Sequence, residues 1–267
     1  MSSPVKRTGF FQGIYEASTT KKERLGAKRE LWDGRVFHYA KAGADLVAGK
    51  MCVASPPASG WLYKACPAVA LGSKSFTVTV AAGGTLSEGQ LEGGLFIVTK
   101  GATVDSAPDG YSYPIAWNSA LGATDTSLTL VLEEPLVKAL TTSDYFRIQP
   151  NLWASVDQSS GASSAAIAGV VPVGVPLINV DSGSYFWILT KGQGPGRIKS
   201  RKAMATMTLS PGQGLALSVS PGYLFPYNDS SITMYPHNPI IARFAGLANT
   251  ASAYTRHAFP VIYDMER

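Results

Sequence analysis

Ser75-Phe76-Thr77-Val78-Thr79-Val80 alternates small polar and large apolar side chains without a break. Successive side chains of an extended strand point to opposite faces, so Phe76, Val78 and Val80 share one face and Ser75, Thr77 and Thr79 the other. A helix would scatter the same residues around its circumference. Ser127-Leu128-Thr129-Leu130-Val131-Leu132 repeats the pattern, with residue types that suit a pleated, half-buried surface. Arg35-Val36-Phe37-His38-Tyr39-Ala40 alternates directly after Asp33-Gly34, a dipeptide favoured in hairpin turns. Leu95 to Thr99 is a continuous apolar run, expected to be a strand buried on both faces. Tyr145 to Ile148, Tyr185 to Thr190, Ala205 to Leu209, Leu215 to Val219 and Val261 to Tyr263 extend the strand set. Between the strands lie turn signals: Gly83-Gly84, Asp109-Gly110, Gly192 to Gly196, Pro211-Gly212 and Pro221-Gly222. Only Glu134 to Ser143, with Pro135 suited to a first turn, invites a helix. The expected fold is all-β, an antiparallel sandwich or barrel body preceded by an extended N-terminal arm.

Composition agrees. The chain has 267 residues, at the upper end of what one hydrophobic core can serve, so one large β domain or two small ones are expected. Charged residues are 15%, against roughly 25% in a typical soluble domain, which argues against helices with salt-bridged outer faces. The most apolar stretch, Ala165 to Val180, is broken by Gly169, Pro172, Gly174 and Pro176. A bilayer-spanning helix needs about 20 apolar residues, so two bent, buried strands are the better reading and no membrane role is expected. No export signal follows Lys6 and Arg7. Cys52 and Cys66 fit neither a zinc nor a redox spacing and are expected to be reduced, partly buried thiols.

The expected division is a basic arm with the first hairpin over residues 1–45 and a β-rich region over 46–156. A loop or short linker follows at 157–164 (DQSSGASS), then a second β-rich region over 165–267, separate from or continuous with the first. No repeat of 20–50 residues recurs, which argues against a propeller or β-helix.

The net charge of +5 sits at one end of the chain. Residues 1–50 hold ten Lys/Arg against five acids, and the remaining 217 residues hold thirteen of each sign. A basic arm with neighbouring aromatics suits an acidic partner surface. The candidate interface residues are Lys21, Lys22, Arg24, Lys28, Arg29, Trp32 and Arg35. Nucleic acid is the less favoured partner, because no recognisable nucleic-acid fold signature accompanies them. Removing residues 1–35 is expected to leave a folded body.

No catalytic constellation emerges. His38, His237 and His257 are the only histidines, and no nucleophile elbow or zinc-binding histidine pair is present. Gly192-Gln193-Gly194-Pro195-Gly196 departs from the dinucleotide fingerprint at Arg197 and is expected to be a turn between strands. Arg197, Lys199, Arg201 and Lys202 form a second basic spot that would discourage edge pairing. No enzyme activity, cofactor or metal is expected. A binding module for carbohydrate or a host surface is the alternative, with Trp61-Leu62-Tyr63, Tyr111-Ser112-Tyr113 and Tyr223 to Tyr227 as candidate stacking aromatics.

Leu25 to Gly43 (LGAKRELWDGRVFHYAKAG) resembles a segment near the start of head structural proteins of tailed bacteriophages. Ala168 to Pro172 (AGVVP) and Ser184 to Gly192 (SYFWILTKG) are similar to a later pair in the same proteins, and Ala245 to Ala248 with Phe259 to Tyr263 to their end. Leu189 departs from the glutamine common there, and Ser200 to Tyr235 has no counterpart. The resemblance implies a capsid decoration or cement protein, made in the host cytoplasm and carried on the outside of the virion. It would bridge neighbouring major capsid subunits, as a dimer or trimer on a local symmetry axis.

Overall fold

The computed structural model describes residues 11–55, 59–99, 108–158, 171–198, 206–209, 214–217, 223–226, 242–245, 249–252 and 258–265. Among these no α-helix occurs, every paired strand is antiparallel, and one sheet curls into a nearly closed, barrel-like form. The all-β expectation holds. The strands begin with β1 (Lys28–Glu30), β2 (Val36–Lys41) and β3 (Cys52–Ala54). They continue through β4 (Lys64–Ala65), β5 (Ser75–Thr79), β6 (Leu95–Thr99), β7 (Pro108–Asn118), β8 (Ser127–Leu132) and β9 (Tyr145–Gln149). The last set is β10 (Val156–Gln158), β11 (Val171–Pro176), β12 (Tyr185–Arg197), β13 (Thr206–Leu209), β14 (Gly214–Leu217), β15 (Leu224–Pro226), β16 (Ala242–Phe244), β17 (Asn249–Ser252) and β18 (Ala258–Asp264).

The chain divides into two units, and the division is not the linear one expected. One unit is discontinuous, Met1–Ser55 with Ser155–Arg267, and the other, Pro56–Ala154, is inserted within it. The chain leaves and re-enters the discontinuous unit at neighbouring points, where Ser55 N–H donates to Ser155 O at 3.1 Å beside the β3–β10 pair. Ends held side by side let a whole domain be inserted without disturbing its host. The described part of the expected arm, residues 11–45, therefore belongs with the C-terminal half, and the expected border at 157 falls just after the re-entry strand has begun.

In the inserted unit the strands run β4-β9-β6-β7-β8-β5. Register puts Phe76 opposite Leu130 and Val78 opposite Leu128, with Phe96 opposite Ile148 and Val98 opposite Phe146. All eight are buried, so the period-2 pattern is the core itself. Phe96 lies at its centre, 5.3 Å edge-on to Phe76 and stacked on Phe146 at 5.2 Å. Such aromatic pairs add roughly 0.5–1.5 kcal/mol beyond area burial. Two expectations fail here. Leu95 is 36% exposed and Ile97 half-buried, so β6 is not buried on both faces. Glu134 to Ser143 forms no helix, because its backbone bonds go sideways: Leu136 N–H donates to Ser73 O at 3.0 Å, and Leu140 exchanges bonds with Val69. Leu136 and Leu140 are nonetheless buried, as a helix face would have had them.

In the discontinuous unit β12 is the organising strand, pairing β2, β11 and β18. Phe37, Tyr39, Trp187, Leu189, Val261 and Tyr263 share its core. Val36 and Ala40 are buried as well, so β2 is covered on both faces. Gly192 to Gly196 is not a turn. It continues β12, each residue registered against β18 from Tyr263 to Phe259. Gly194 and Gly196 are needed because Leu189, Val261 and Tyr263 lie where a Cβ would go. Asp109-Gly110 likewise opens β7 rather than turning the chain. Only one of the two strands expected in Ala165 to Val180 is formed among the described residues, β11, with Val180 in a single bridge to Leu46.

Candidate functional site

Residues 11–35 carry the candidate interface, and most of their length is tied to the body. Gln12 is 2% exposed in an otherwise polar stretch. Its side-chain Nε2 donates to Glu16 O and to Tyr185 O, both at 2.8 Å, and its Oε1 accepts from Tyr39 Oη at 2.7 Å. Its backbone carbonyl accepts from Trp187 Nε1 and from Arg29 Nη1, each at 3.0 Å. Ser18 N–H donates to Tyr185 O while Tyr185 N–H donates to Ser18 O. Glu23, also buried, accepts the Phe11 N–H at 3.1 Å. Burial raises the Tyr39 phenol above its ordinary range, so it stays a donor throughout the physiological range.

This segment was expected to be an extended arm. It docks through buried hydrogen bonds instead, which replace hydration without needing apolar area. Deleting residues 1–35 would strip β1 from β2 and remove Gln12 from the Tyr39 hydroxyl and the Trp187 indole, so such a truncation is expected to destabilise the discontinuous unit rather than leave it intact. Residues 1–10 lie outside the described residues.

The seven candidate residues separate into three kinds: exposed cations, half-buried arginines and one exposed tryptophan. Lys21, Lys22, Arg24 and Lys28 are exposed along the segment and β1. Arg29 and Arg35 are half-buried and serve the fold: Arg29 lies 5.8 Å from the Trp187 ring centroid, and Arg35 lies 5.7 Å from that of Phe37. Arg35 Nε also donates to Asp33 Oδ2 at 2.7 Å, and the Asp33 carboxyl is lowered chiefly by the Arg35 backbone N–H it accepts. The Arg35 guanidinium is held charged first by a hydrogen bond with the Tyr15 hydroxyl. Trp32 is 98% exposed, at the turn joining β1 to β2.

No protein-family model, curated protein or solved structure matches the chain. The chemistry of the remaining candidates must be read from their surroundings. His38 Nδ1 lies 3.2 Å from Thr190 Oγ1, whose own proton goes to Val36 O at 3.1 Å. Both contacts tie β2 to β12, and His38 here serves the sheet. His237 and His257 lie outside the described residues, as do Lys199, Arg201 and Lys202. Arg197 donates from Nε to Ala48 O at 3.1 Å. Of the aromatics considered for glycan stacking, Trp61 and Tyr113 are buried and Tyr111 packs on the core. Tyr223 is half-buried with Lys50 5.4 Å above its ring, and Tyr227 lies outside the described residues. Among the described residues no group of three or more His, Cys, Asp or Glu is placed to hold a metal.

Cys52 and Cys66 are both free and buried, one in each unit. Burial pushes both thiols up, Cys66 to about 12, so the reactive thiolate is scarce near neutral pH. Neither is expected to react with a disulfide reagent at pH 8 until denaturant is added. Prompt labelling of the native protein would contradict this placement.

Proposed function

We propose that the chain is a virion structural protein, a capsid decoration or cement protein of a tailed phage. It binds the outside of the head and bridges neighbouring major capsid subunits through its basic N-terminal segment. What carries the reading is the distribution of charge. Lys21, Lys22, Arg24 and Lys28 are exposed on one short stretch within the basic first 50 residues, and the 217 residues that follow those 50 are charge-balanced. Held on a docked segment rather than a loose tail, these cations are offered at little further cost in conformational entropy. A capsid repeats its acidic counter-surface over the whole lattice, so modest single contacts add up through multivalency. The phage-head resemblance of Leu25 to Gly43 begins at the end of this stretch and includes Lys28.

The test is co-sedimentation of the purified full chain with phage heads assembled without it, with copy number measured against the major capsid protein. The wild-type chain is expected to pellet with heads, and less so as salt rises. Reversing Lys21, Lys22, Arg24 and Lys28 to glutamate together is expected to weaken association by about tenfold or more at about 0.15 M salt, with the melting temperature little changed. A wild-type chain that stays in the supernatant at low salt would overturn the reading.

A further inference from the structure

β5 ends the strand order of the inserted unit, with β8 on one side and no strand on the other among the described residues. Its backbone groups alternate in direction. Leu132 N–H donates to Lys74 O and Val80 N–H donates to Thr126 O, each at 2.8 Å, so Lys74, Phe76, Val78 and Val80 face β8 and its extension. Ser75, Thr77 and Thr79 therefore turn their N–H and C=O groups the other way. Thr129, opposite Thr77, shows the same alternation: its N–H donates to Ser119 Oγ, and its carbonyl accepts from Ser119 N–H. No hydrogen bond among the described residues reaches the outward backbone groups of Ser75, Thr77 and Thr79, and all three residues are exposed.

Sheet edges are ordinarily blunted by lysine, proline, a bulge or a covering loop. Ser75-Phe76-Thr77-Val78-Thr79 carries no charge and no proline, and its register on β8 runs without a shift. Thr77, Val78 and Thr79 are β-branched and favour the extended form. The partner such an edge fits is indicated by β8, which it already pairs. Across that pair Thr77 faces Thr129, with their Oγ1 atoms 3.1 Å apart, and Thr79 faces Ser127. An antiparallel copy of β5, turned about Thr77, offers the same chemistry. Thr77 would face the partner's Thr77 and Thr79 the partner's Ser75, each pair exchanging both N–H···O bonds. Phe76 would face the partner's Val78, and Lys74 the partner's Val80, so no charge meets a like charge.

We propose that β5 is a self-association edge, through which two copies of the chain join antiparallel about a two-fold axis at Thr77. An isologous contact of this kind closes on itself and yields a dimer rather than a filament. The proposal stands apart from the head-protein reading and needs no other partner.

Sedimentation velocity of the full chain over a concentration series tests it. The wild type is expected to pass from monomer to dimer as concentration rises. Thr77→Pro removes an outward N–H while leaving the bonds to β8 in place, and the two-fold repeats that loss in both copies. It is expected to weaken dimerisation by about thirtyfold or more. Because the axis sets position 77 against itself, Thr77→Lys and Thr77→Glu should each weaken the dimer by about fivefold or more, and an equimolar mixture of the two should recover it. That recovery separates a lost contact from a lost fold. A wild type that stays monomeric throughout would overturn the proposal, as would charge variants that dimerise like the wild type or a mixture no tighter than its components. A monomeric wild type whose head binding disappears in Thr77→Pro would give the edge to a strand of the head instead of a second copy.

Discussion

Gly174→Ala is expected to destabilise the discontinuous unit by about 3 kcal/mol or more and to leave the inserted unit's unfolding unmoved. At Gly174, φ is +152°, and a Cβ there would lie 2.5 Å from Leu189 O and 2.8 Å from Ile188 Cγ1. The carbonyl is backbone of β12, where Val175 pairs with Leu189, so it can retreat only by opening the β11–β12 ladder. The register of β11 on β3 also shifts between Pro172 and Gly174, which makes this the point where the strand bends from one neighbour to the other. Gly94→Ala makes the mirror experiment. Its Cβ would meet Gln149 O at 2.6 Å and Leu91 O at 2.9 Å, both in the inserted unit. Calorimetry should therefore show each substitution lowering a different transition. A single transition lowered equally by both would mean that the two units unfold as one.

What the sequence discloses of this architecture follows from the reach of each signal. Strand identity is local: Phe76, Val78, Leu128 and Leu130 declare themselves through period 2, and pairing register then brings them face to face. The insertion is not local. Ser55 meets Ser155, a hundred positions further along the chain, and nothing in either neighbourhood marks that partnership. Gly192 to Gly196 shows how a sound rule misleads. Glycine reads as a turn because it tolerates positive φ, and Gly192 does adopt it at +95°. Gly194 and Gly196 are glycine for the other reason, close packing by side chains from within β12 and from β18. Glu134 to Ser143 misleads in the opposite sense. Leu136 and Leu140 have helical spacing, but the backbone of Val69 to Ser73 lies alongside and takes the hydrogen bonds.

The candidate site was legible in its charges and its tryptophan, since exposed cations and an aromatic in a turn are visible as residue types. It was not legible in its mounting. Arg29 and Arg35 look like Lys21 and Lys28 in sequence, yet they lie over the rings of Trp187 and Phe37. Trp187 is remote in the chain, so only the fold separates Arg29 and Arg35, which hold the segment, from Lys21, Lys22, Arg24 and Lys28, which it presents.

Gln12 escaped notice because a glutamine among polar residues carries no signal, and it supports the sharpest test of the mounting. Gln12→Ala is expected to loosen residues 11–23 by about 3 kcal/mol, since it removes two donated bonds and leaves the buried Tyr39 hydroxyl without an acceptor. Tyr39 Oη would still accept from Lys22 N–H at 3.0 Å, so its own proton is what is stranded. Limited trypsin digestion reads the loosening at Lys21, Lys22 and Arg24. Where opening and closing outrun cleavage, the rate follows the open population, so about 3 kcal/mol corresponds to roughly hundredfold faster cutting. Gln12→Glu sharpens the sign. At neutral pH its carboxylate would accept from Tyr39 but face the carbonyls of Glu16 and Tyr185, which need a donor. Those carbonyls favour the protonated acid and raise its folded-state pKa, so the segment should tighten as pH falls through that raised value and loosen as pH rises. Cleavage of Gln12→Ala at the wild-type rate would mean that the segment is held by contacts other than this glutamine. The cations of the proposed interface would then need a different mount.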